Sequence, residues 1–285
     1  GLNPVGYHIT NILLHVISSL LVYMITRKIV KDFRVSLYTA ILFAVHPVHT
    51  DAVTYLSGRR DILSAAFYLM AFYFFLSYRE SGKYRYIPLI FGLFLLSLLS
   101  KEMAASLPFL LLGYDAIFRF NSKYALLDAG FYLDVFRNVW HALEKDILFY
   151  FFLFLLIPIS VYYYVVLRHA SMIVGQGRIE WWGGTILLNF MNALHVLAYY
   201  IKKSFFPVVL VADNSDFPVV QSFQDGRVAA SLAVAFLLIV LLLLWMKQKK
   251  VYAFSLAFFL ITLLPVMQII PHHELLAEHY LYIPS

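Results

Sequence analysis

Residues 228–246 read VAASLAVAFLLIVLLLLWM, a run of 19 residues without a charged side chain. A helix needs about 20 apolar residues to cross the hydrocarbon core of a bilayer, with about 17 as a lower limit. Eight further charge-free runs lie along the 285 residues: 1–26, 35–50, 62–78, 86–100, 103–114, 147–167, 181–201 and 251–273. The sequence therefore predicts an all-α polytopic membrane protein.

The composition agrees with this prediction and excludes several classes of protein. Hydrophobic residues make up 62% of the chain and charged residues only 13%, whereas soluble domains hold about 25% charged residues. The net charge of +6 is dispersed over short loops, so no nucleic-acid partner is predicted. The chain has no Cys, which excludes disulfide scaffolds, thiolate zinc sites and cysteine nucleophiles within these residues.

The distribution of Lys and Arg predicts the orientation. With the N-terminus outside, 14 of the 22 basic residues fall in cytoplasmic loops, as the positive-inside rule requires. The other eight lie on the outer side, run against the rule and call for another explanation, such as an anionic ligand. They are Arg59, Arg60, Lys101, Arg168, Arg178, Lys202, Lys203 and Arg227.

One apolar run does not fit as a full crossing. If residues 181–201 crossed the bilayer, Lys247, Lys249 and Lys250 would lie outside and the charge bias would reverse. We therefore predict about eight crossings plus one helix, at about 185–203, that is re-entrant or lies along the outer face. An additional, unseen crossing is the alternative.

Two other segments have distinctive patterns. Residues 86–100 and 103–114 predict a tight helical hairpin around Lys101-Glu102. Residues 124–146 alternate apolar and charged positions, which predicts an amphipathic helix on the cytoplasmic surface. No tandem repeat and no Gly/Ser linker divides the sequence, so residues 1–285 are interpreted as one transmembrane domain. Because the chain starts at Gly1 without Met, we expect it to be a fragment.

The densest polar cluster on the predicted outer side is His46-Pro47-Val48-His49-Thr50-Asp51, followed by Ser57-Gly58-Arg59-Arg60-Asp61. Pro47 ends one helix, and Asp61 suits the first turn of the next. Arg59 and Arg60 could clamp a phosphate, since a guanidinium binds phosphate oxygens in pairs. Two alternatives stay open: a metal site on His46, His49 and Asp51, and a solvated loop with a local ion pair.

Three further polar segments are candidates. Lys101 and Glu102 lie at membrane depth between short apolar helices, where charges are costly and often functional; snorkelling of Lys101 is the alternative. Asp213 and Asp216 could do acid/base or metal work, although a turn before Pro218 also explains them. The last segment is C-terminal and includes Glu278, His279 and Tyr280.

These segments occur in an order that resembles the membrane domain of the transmembrane and tetratricopeptide-repeat O-mannosyltransferases, GT-C glycosyltransferases that use lipid-phosphate sugars. The resemblance is carried by NPVGYHITNILLH at 3–15, FAVHPVHTDAV at 43–53, Gly58-Arg59, Ser100-Lys101-Glu102, Phe206-Pro207 through Asp216-Phe217, and 277–285. It implies a GT-C-like helical bundle. The chain departs from the family pattern at Asp51, where Glu is usual, and at His279, where Arg is usual.

The residues and the resemblance together lead to one hypothesis, an inverting transfer of mannose or a similar hexose from a polyprenyl- or dolichyl-phosphate donor to protein Ser/Thr hydroxyls. Arg59, Arg60 and Lys101 would hold the leaving phosphate. The resemblance places the catalytic acidic residue upstream of Gly1 and tetratricopeptide repeats after Ser285. Supporting or substrate-positioning roles are predicted for His46, His49, Asp51, Glu102, Asp213, Asp216, Glu278, His279 and Tyr280.

Competing functions and the location stay open at the level of sequence. A lipid or polysaccharide transporter or flippase, or a catalytically silent membrane scaffold, could use the same charges. Besides the sugar donor and membrane lipids as ligands, a protein acceptor is predicted as partner. No cofactor is predicted, and a divalent metal is an alternative only. The absence of Asn-x-Ser/Thr sites favours a prokaryotic plasma membrane over the endoplasmic reticulum.

Overall fold

A computed structural model describes residues 4–126, 128–162, 181–211, 214, 216–268 and 274–285. Within these ranges the chain forms α-helices and short 3₁₀ segments and no strand, which confirms the all-α prediction. The described helices are α1 (Pro4–Val30), α2 (Phe33–Val45), α3 (Thr50–Thr54), α4 (Arg59–Ser81), α5 (Tyr86–Ser100), α6 (Leu107–Arg119), α7 (Ala129–Lys145), α8 (Ile147–Tyr162), α9 (Ile186–Phe205), α10 (Gly226–Gln248) and α11 (Lys250–Leu263).

Several of these helices are suited to a membrane. The segments Val5–Val30, Leu56–Ser81 and Gly226–Gln248 are long and apolar enough to cross one, and α2, α5, α8 and α11 are shorter apolar helices. Because lipid cannot satisfy backbone polar groups, such segments must be helical at membrane depth. The chain is therefore an integral membrane protein, while the number of crossings stays a prediction.

Helix α4 lies at the centre of the bundle. It packs against α1 and α5, and Tyr68, Phe72 and Phe75 on it are fully buried. The ring of Phe72 lies 5.7 Å from that of Phe254 on α11. The helix begins at Arg59 with Asp61 in its first turn, as predicted, and ends at Gly82, whose φ of 66° gives a left-handed cap.

The helices run back and forth, so that their polar termini gather at two ends. We call one the histidine end, defined by His15, His46, His49 and His279, and the other the arginine end, around Arg79. At the arginine end, Arg79 pairs with Asp115 of α6 and, at 2.7 Å, with Asp146 before α8. Lys28 pairs with Glu80 there.

The predicted cytoplasmic loops also meet at the arginine end. Lys247 and Lys250, at the junction of α10 and α11, donate to the carbonyls of Tyr124 and Phe118, each at 2.9 Å. The basic residues assigned to one side by the positive-inside rule thus lie at the same end of the bundle.

Helix α9 contacts the histidine end at both of its termini. Near its start, Asn189 donates to the carbonyl of Gln268 at 2.6 Å. Near its end, Lys203 pairs with Glu278 at 2.9 Å. Since both partners belong to the segment that follows α11, this arrangement fits a helix lying along one face of the bundle better than an additional crossing.

The predicted hairpin around Lys101-Glu102 has the expected helices but a different packing. Helix α5 ends at Ser100 and α6 starts at Leu107, with a 3₁₀ segment, Glu102–Ser106, between them. However, α5 packs along α4, whereas α6 packs against α7 and α11. The prediction of a tight hairpin was therefore wrong. The physical reason is that Lys101 turns towards α4 and separates the two arms.

Candidate functional site at the histidine end

The histidine end is built from helix termini around a buried C-terminal segment. The starts of α1, α4 and α6 meet the ends of α2, α5 and α11 there. Residues 275–284 lie among them and are almost wholly buried, with Leu281 at 0% and Tyr282 at 1% exposure. The segment consequently places His279, Tyr280, Tyr282 and Ser285 against residues from the first 101 positions of the chain.

Lys101 forms a buried ion pair with Asp61 of α4. Both side chains are less than a tenth exposed, and the ring of Tyr280 lies 5.0 Å from the ammonium nitrogen. Snorkelling of Lys101 is therefore excluded. Breaking such a pair would leave one charge buried without compensation, which makes the two residues a tightly linked unit.

Two other predicted carboxylates are less buried than this pair. Glu102 does not share the buried position of Lys101, because its side chain is exposed. Asp216 is also exposed, in the loop that follows α9. Asp213 lies outside the described residues. Among these three predicted positions, Glu102 is therefore the one that the described structure brings beside Lys101.

Three histidines pack together with Phe43 and Tyr282. The ring of His49 lies 5.3 Å from that of His15 and 5.8 Å from that of His46. His15 Nδ1 lies 2.7 Å from the hydroxyl oxygen of Tyr282, and His49 Nε2 lies 2.7 Å from Ser285 Oγ. Burial first, and then the charges of His15 and His46, lower the pKa of His49 to about 3.

The possible metal ligands face different partners. His46 Nε2 lies 3.0 Å from the carbonyl oxygen of Ser204, His49 faces Ser285, and Asp51 faces His279. Among the described residues, no group of three or more His, Asp or Glu could hold a metal ion. The geometry gives the metal alternative no support in the described part of the chain.

The two arginines at the start of α4 lie in different surroundings. The guanidinium carbon of Arg59 lies 4.7 Å from the ring centre of Tyr7 on α1, and its Nε donates to Asn11 Oδ1 at 3.5 Å. Arg60 is exposed. Arg59 is thus positioned by an aromatic face, while Arg60 is accessible to an anion from outside.

Glu278 and Tyr280 belong to the interior of this end. Glu278 Oε1 accepts from Lys203 Nζ and from the backbone N–H of Val211, each at 2.9 Å. Burial raises the pKa of the Tyr280 hydroxyl, and the charge of Glu274 raises it further. Both side chains are almost fully buried, so in this structure they hold the C-terminal segment in place.

Asp51 and His279 form a half-buried pair. Nδ1 of the imidazole lies 3.1 Å from Oδ2 of the carboxylate. The pair joins the start of α3 to the 3₁₀ segment Glu278–Leu281. The predicted site residues at 46, 49, 51, 101 and 279 therefore lie at one end of the bundle, together with Asp61.

Sequence reasoning did not single out the polar stripe on α1. Tyr7, Asn11 and His15 are spaced four residues apart, so that they share one face of the helix. Asn11 is fully buried, and its amide donates to the carbonyls of Val53 and Tyr55 at 3.2 and 3.3 Å. The i, i+4 spacing of polar side chains in an otherwise apolar helix was the available signal.

The fold and the histidine end define a class: an all-helical integral membrane protein with buried ionisable groups at the ends of its helical bundle. Comparison with known proteins shows what the chain is similar to. Residues 2–140 match the family model for dolichyl-phosphate-mannose-protein mannosyltransferases. The resemblance to the transmembrane and tetratricopeptide-repeat O-mannosyltransferases is thereby confirmed. No solved structure matches the chain.

Individual relatives come from animals. The chain is 39% identical over 107 residues to protein O-mannosyl-transferase Tmtc1 of Drosophila melanogaster, which covers 36% of this chain and 12% of that protein. It is 42% identical over 97 residues to human TMTC4, with 29% and 13% coverage. It is 31% identical over 167 residues to mouse TMTC4, with 51% and 21% coverage. The matches thus span a small part of these relatives.

Proposed function

We propose that the chain is the membrane part of a glycosyltransferase that moves mannose or a similar hexose from a polyprenyl- or dolichyl-phosphate donor to Ser/Thr hydroxyls of a protein. The transfer would take place on the external face, with the donor's lipid tail in the bilayer. We place the protein in a prokaryotic plasma membrane, with the endoplasmic reticulum as the alternative.

One observation carries this proposal. The family match over residues 2–140 includes helix α1 with His15 and the helix termini that supply Arg59, Asp61 and Lys101 to the histidine end. The part of the chain that matches mannosyltransferases is therefore the part that supplies Arg59, Arg60 and Lys101.

The chemistry requires such cations. As the acceptor oxygen bonds to C1 of the sugar, the bond from C1 to the phosphate oxygen breaks and negative charge grows on the phosphate. Fixed positive groups at that place stabilise the transition state. We assign the phosphate to Arg59 and Arg60, and to Lys101 once its charge is shared between Asp61 and the donor. The family resemblance implies a carboxylate base outside residues 1–285.

Transfer of radiolabelled mannose from a lipid-phosphate donor to an acceptor peptide tests the proposal. We expect Arg59→Ala, Arg60→Ala and Lys101→Ala in the purified full-length protein to lower the rate by about 10²-fold or more, as loss of an electrostatic stabiliser does. Arg85→Ala is the matched control, because Arg85 is exposed and precedes α5 at the opposite end.

Two outcomes would contradict the proposal. Equal rates in the four variants would exclude the assigned phosphate site. Absence of transfer by folded wild-type protein with every lipid-phosphate sugar tried would favour a transporter or a silent scaffold.

A further inference from the structure

The loop between α3 and α4 is held by a buried residue to which the proposed transfer assigns no role. Asn11 lies on α1 and is fully buried, and its amide nitrogen donates to the carbonyl oxygens of Val53 and Tyr55 at 3.2 and 3.3 Å. Helix α3 ends at Thr54, and the last carbonyls of a helix have no partner within it. Asn11 therefore caps the end of α3 from a neighbouring helix.

The same side chain faces the guanidinium of Arg59. Arg59 Nε donates to Asn11 Oδ1, and Arg59 Nη2 donates to the carbonyl oxygen of Tyr7, each at 3.5 Å. Both contacts lie on one edge of the planar guanidinium, and both partners belong to α1. Nη1 makes no hydrogen bond to a residue that the structure describes. Nη1 and the outer N–H of Nη2 are therefore left to donate to a phosphate in pairs.

Gly58 brings the loop into close contact with α3. A Cβ atom at this position would overlap the carbonyl oxygen of Ala52 and would lie 2.9 Å from its carbonyl carbon. The φ of Gly58 is −61°, which any residue can adopt. Glycine is thus required by the close approach of two backbones and not by an unusual backbone angle. The start of α4 at Arg59 is therefore fixed against both α1 and α3.

We infer that Asn11 is a positioning residue of the transfer site, an inference that rests on the proposed function. By capping α3 and accepting from Arg59 Nε, Asn11 holds the guanidinium so that Nη1 and Nη2 face the donor phosphate. Its role differs from that of Tyr7, which contacts Arg59 but does not hold the loop that precedes it. Such placement matters because a fixed charge stabilises the transition state only where the negative charge develops.

A double-mutant cycle between Asn11 and Arg59 tests this role. Transfer of radiolabelled mannose by the purified full-length protein is measured over a range of donor concentrations for Asn11→Leu, Arg59→Ala and the double variant, and rates are referred to the folded fraction. We expect Asn11→Leu to lower kcat/KM by about 10- to 10²-fold in the wild-type background. In the Arg59→Ala background it should lower kcat/KM by no more than about 2-fold. A purely structural role would give the same factor in both backgrounds.

Asn192 on α9 is the matched control. It is also fully buried, and its amide nitrogen donates to the carbonyl oxygens of Leu188 and Val220, each at 3.0 Å. Asn192→Leu should lower the free energy of unfolding, as Asn11→Leu does, but should leave kcat/KM of the folded protein unchanged. An equal loss of kcat/KM in the two Asn→Leu variants would show a general effect of losing a buried amide and would overturn the inference.

A milder variant covers the case in which Asn11→Leu does not fold. Asn11→Gln keeps the amide group, but its extra methylene displaces the amide oxygen from Arg59, so kcat/KM should again fall in the wild-type background only. Wild-type kcat/KM in the folded variant, or equal losses in both backgrounds, would overturn the inference while transfer by the wild type still stands. No transfer by folded wild-type protein would overturn the proposed function, and the inference with it.

Discussion

His279 Nδ1 lies 3.1 Å from Asp51 Oδ2. The carboxylate and the imidazole thus face each other across 228 positions of sequence. The family resemblance implies Glu and Arg at these two positions, and the structure brings both positions together in a single contact.

This relationship predicts coupling between the two positions. We expect Asp51→Ala and His279→Ala each to lower the free energy of unfolding. The double variant should lose little more stability than either single variant, which corresponds to a coupling energy of about 0.5–3 kcal/mol between the two positions. Thermal unfolding of the three variants measures it. Asp216→Ala, at an exposed carboxylate, is the control that should change nothing. Strictly additive losses would contradict the pairing.

The buried pair of Asp61 and Lys101 predicts that substitutions change the stability of the protein and its transferase activity in different ways. Replacing one partner, as in Lys101→Met or Asp61→Asn, should cost about 3–5 kcal/mol because the other charge is left buried alone. The double variant should recover most of this stability, since no unpaired charge remains. Its transferase activity should stay low, because the cation is gone. Recovery of both properties would give the pair a purely structural role.

The lowered pKa of His49 predicts that the protein loses stability in mild acid. Its pKa is lowered from 6.5 to about 3 in the folded protein by burial and by His15 and His46. Below pH 6.5 the unfolded state therefore binds more protons than the folded state, and stability falls as the pH falls. Between pH 6.5 and about 5 this group should cost about 2 kcal/mol.

The check is the pH dependence of thermal unfolding. His49→Gln should flatten the curve between pH 5 and 6.5, even if its stability at neutral pH is lower. His141→Gln, at an exposed position of α7, should keep the wild-type slope. An unchanged slope in His49→Gln would show that the titrating group lies elsewhere.

Tyr7 is expected to act through Arg59. Its ring lies 4.7 Å from the guanidinium carbon, and a cation over an aromatic face gains about 0.5–1 kcal/mol at exposed sites and about 2 when desolvated. Tyr7→Leu should raise the KM for the lipid-phosphate donor by about 3- to 30-fold and leave unfolding little changed, while Tyr7→Phe keeps the ring and the wild-type KM. Tyr38→Leu, at an exposed tyrosine of α2, is the control. A wild-type KM in Tyr7→Leu would exclude this role.

The sequence predicted the features of the fold that depend on interactions within a few residues. Pro47 predicted the end of α2 and Asp61 the first turn of α4, because both effects act within a few residues. The charge-free runs predicted the apolar helices for the same reason. The gathering of basic loops at one end followed from the positive-inside rule, which depends on charge and not on tertiary contacts.

The partners of the ionisable groups could not be predicted in the same way. Lys101 pairs with Asp61, 40 positions earlier, and Glu278 with Lys203, 75 positions earlier. Such contacts depend on how the helices pack and on where the C-terminal segment enters the helical bundle. A charge at membrane depth requires a counter-ion, but the sequence does not say which of several carboxylates supplies it.

The position of α9 gives a final prediction, on topology. Both of its termini contact the segment after α11 at the histidine end, so Thr185 and Lys202 should lie on the same side of the membrane as Arg60. Residues 1–285 contain no Cys, which allows Thr185→Cys, Lys202→Cys and Arg60→Cys to be labelled one at a time in intact cells or sealed vesicles with a membrane-impermeant maleimide. We expect all three to react from one side, and Arg85→Cys, near the start of α5 at the arginine end, to react only after permeabilisation. Labelling of Thr185→Cys and Lys202→Cys from opposite sides would make α9 a full crossing, which would also reverse the side assigned to Lys247 and Lys250.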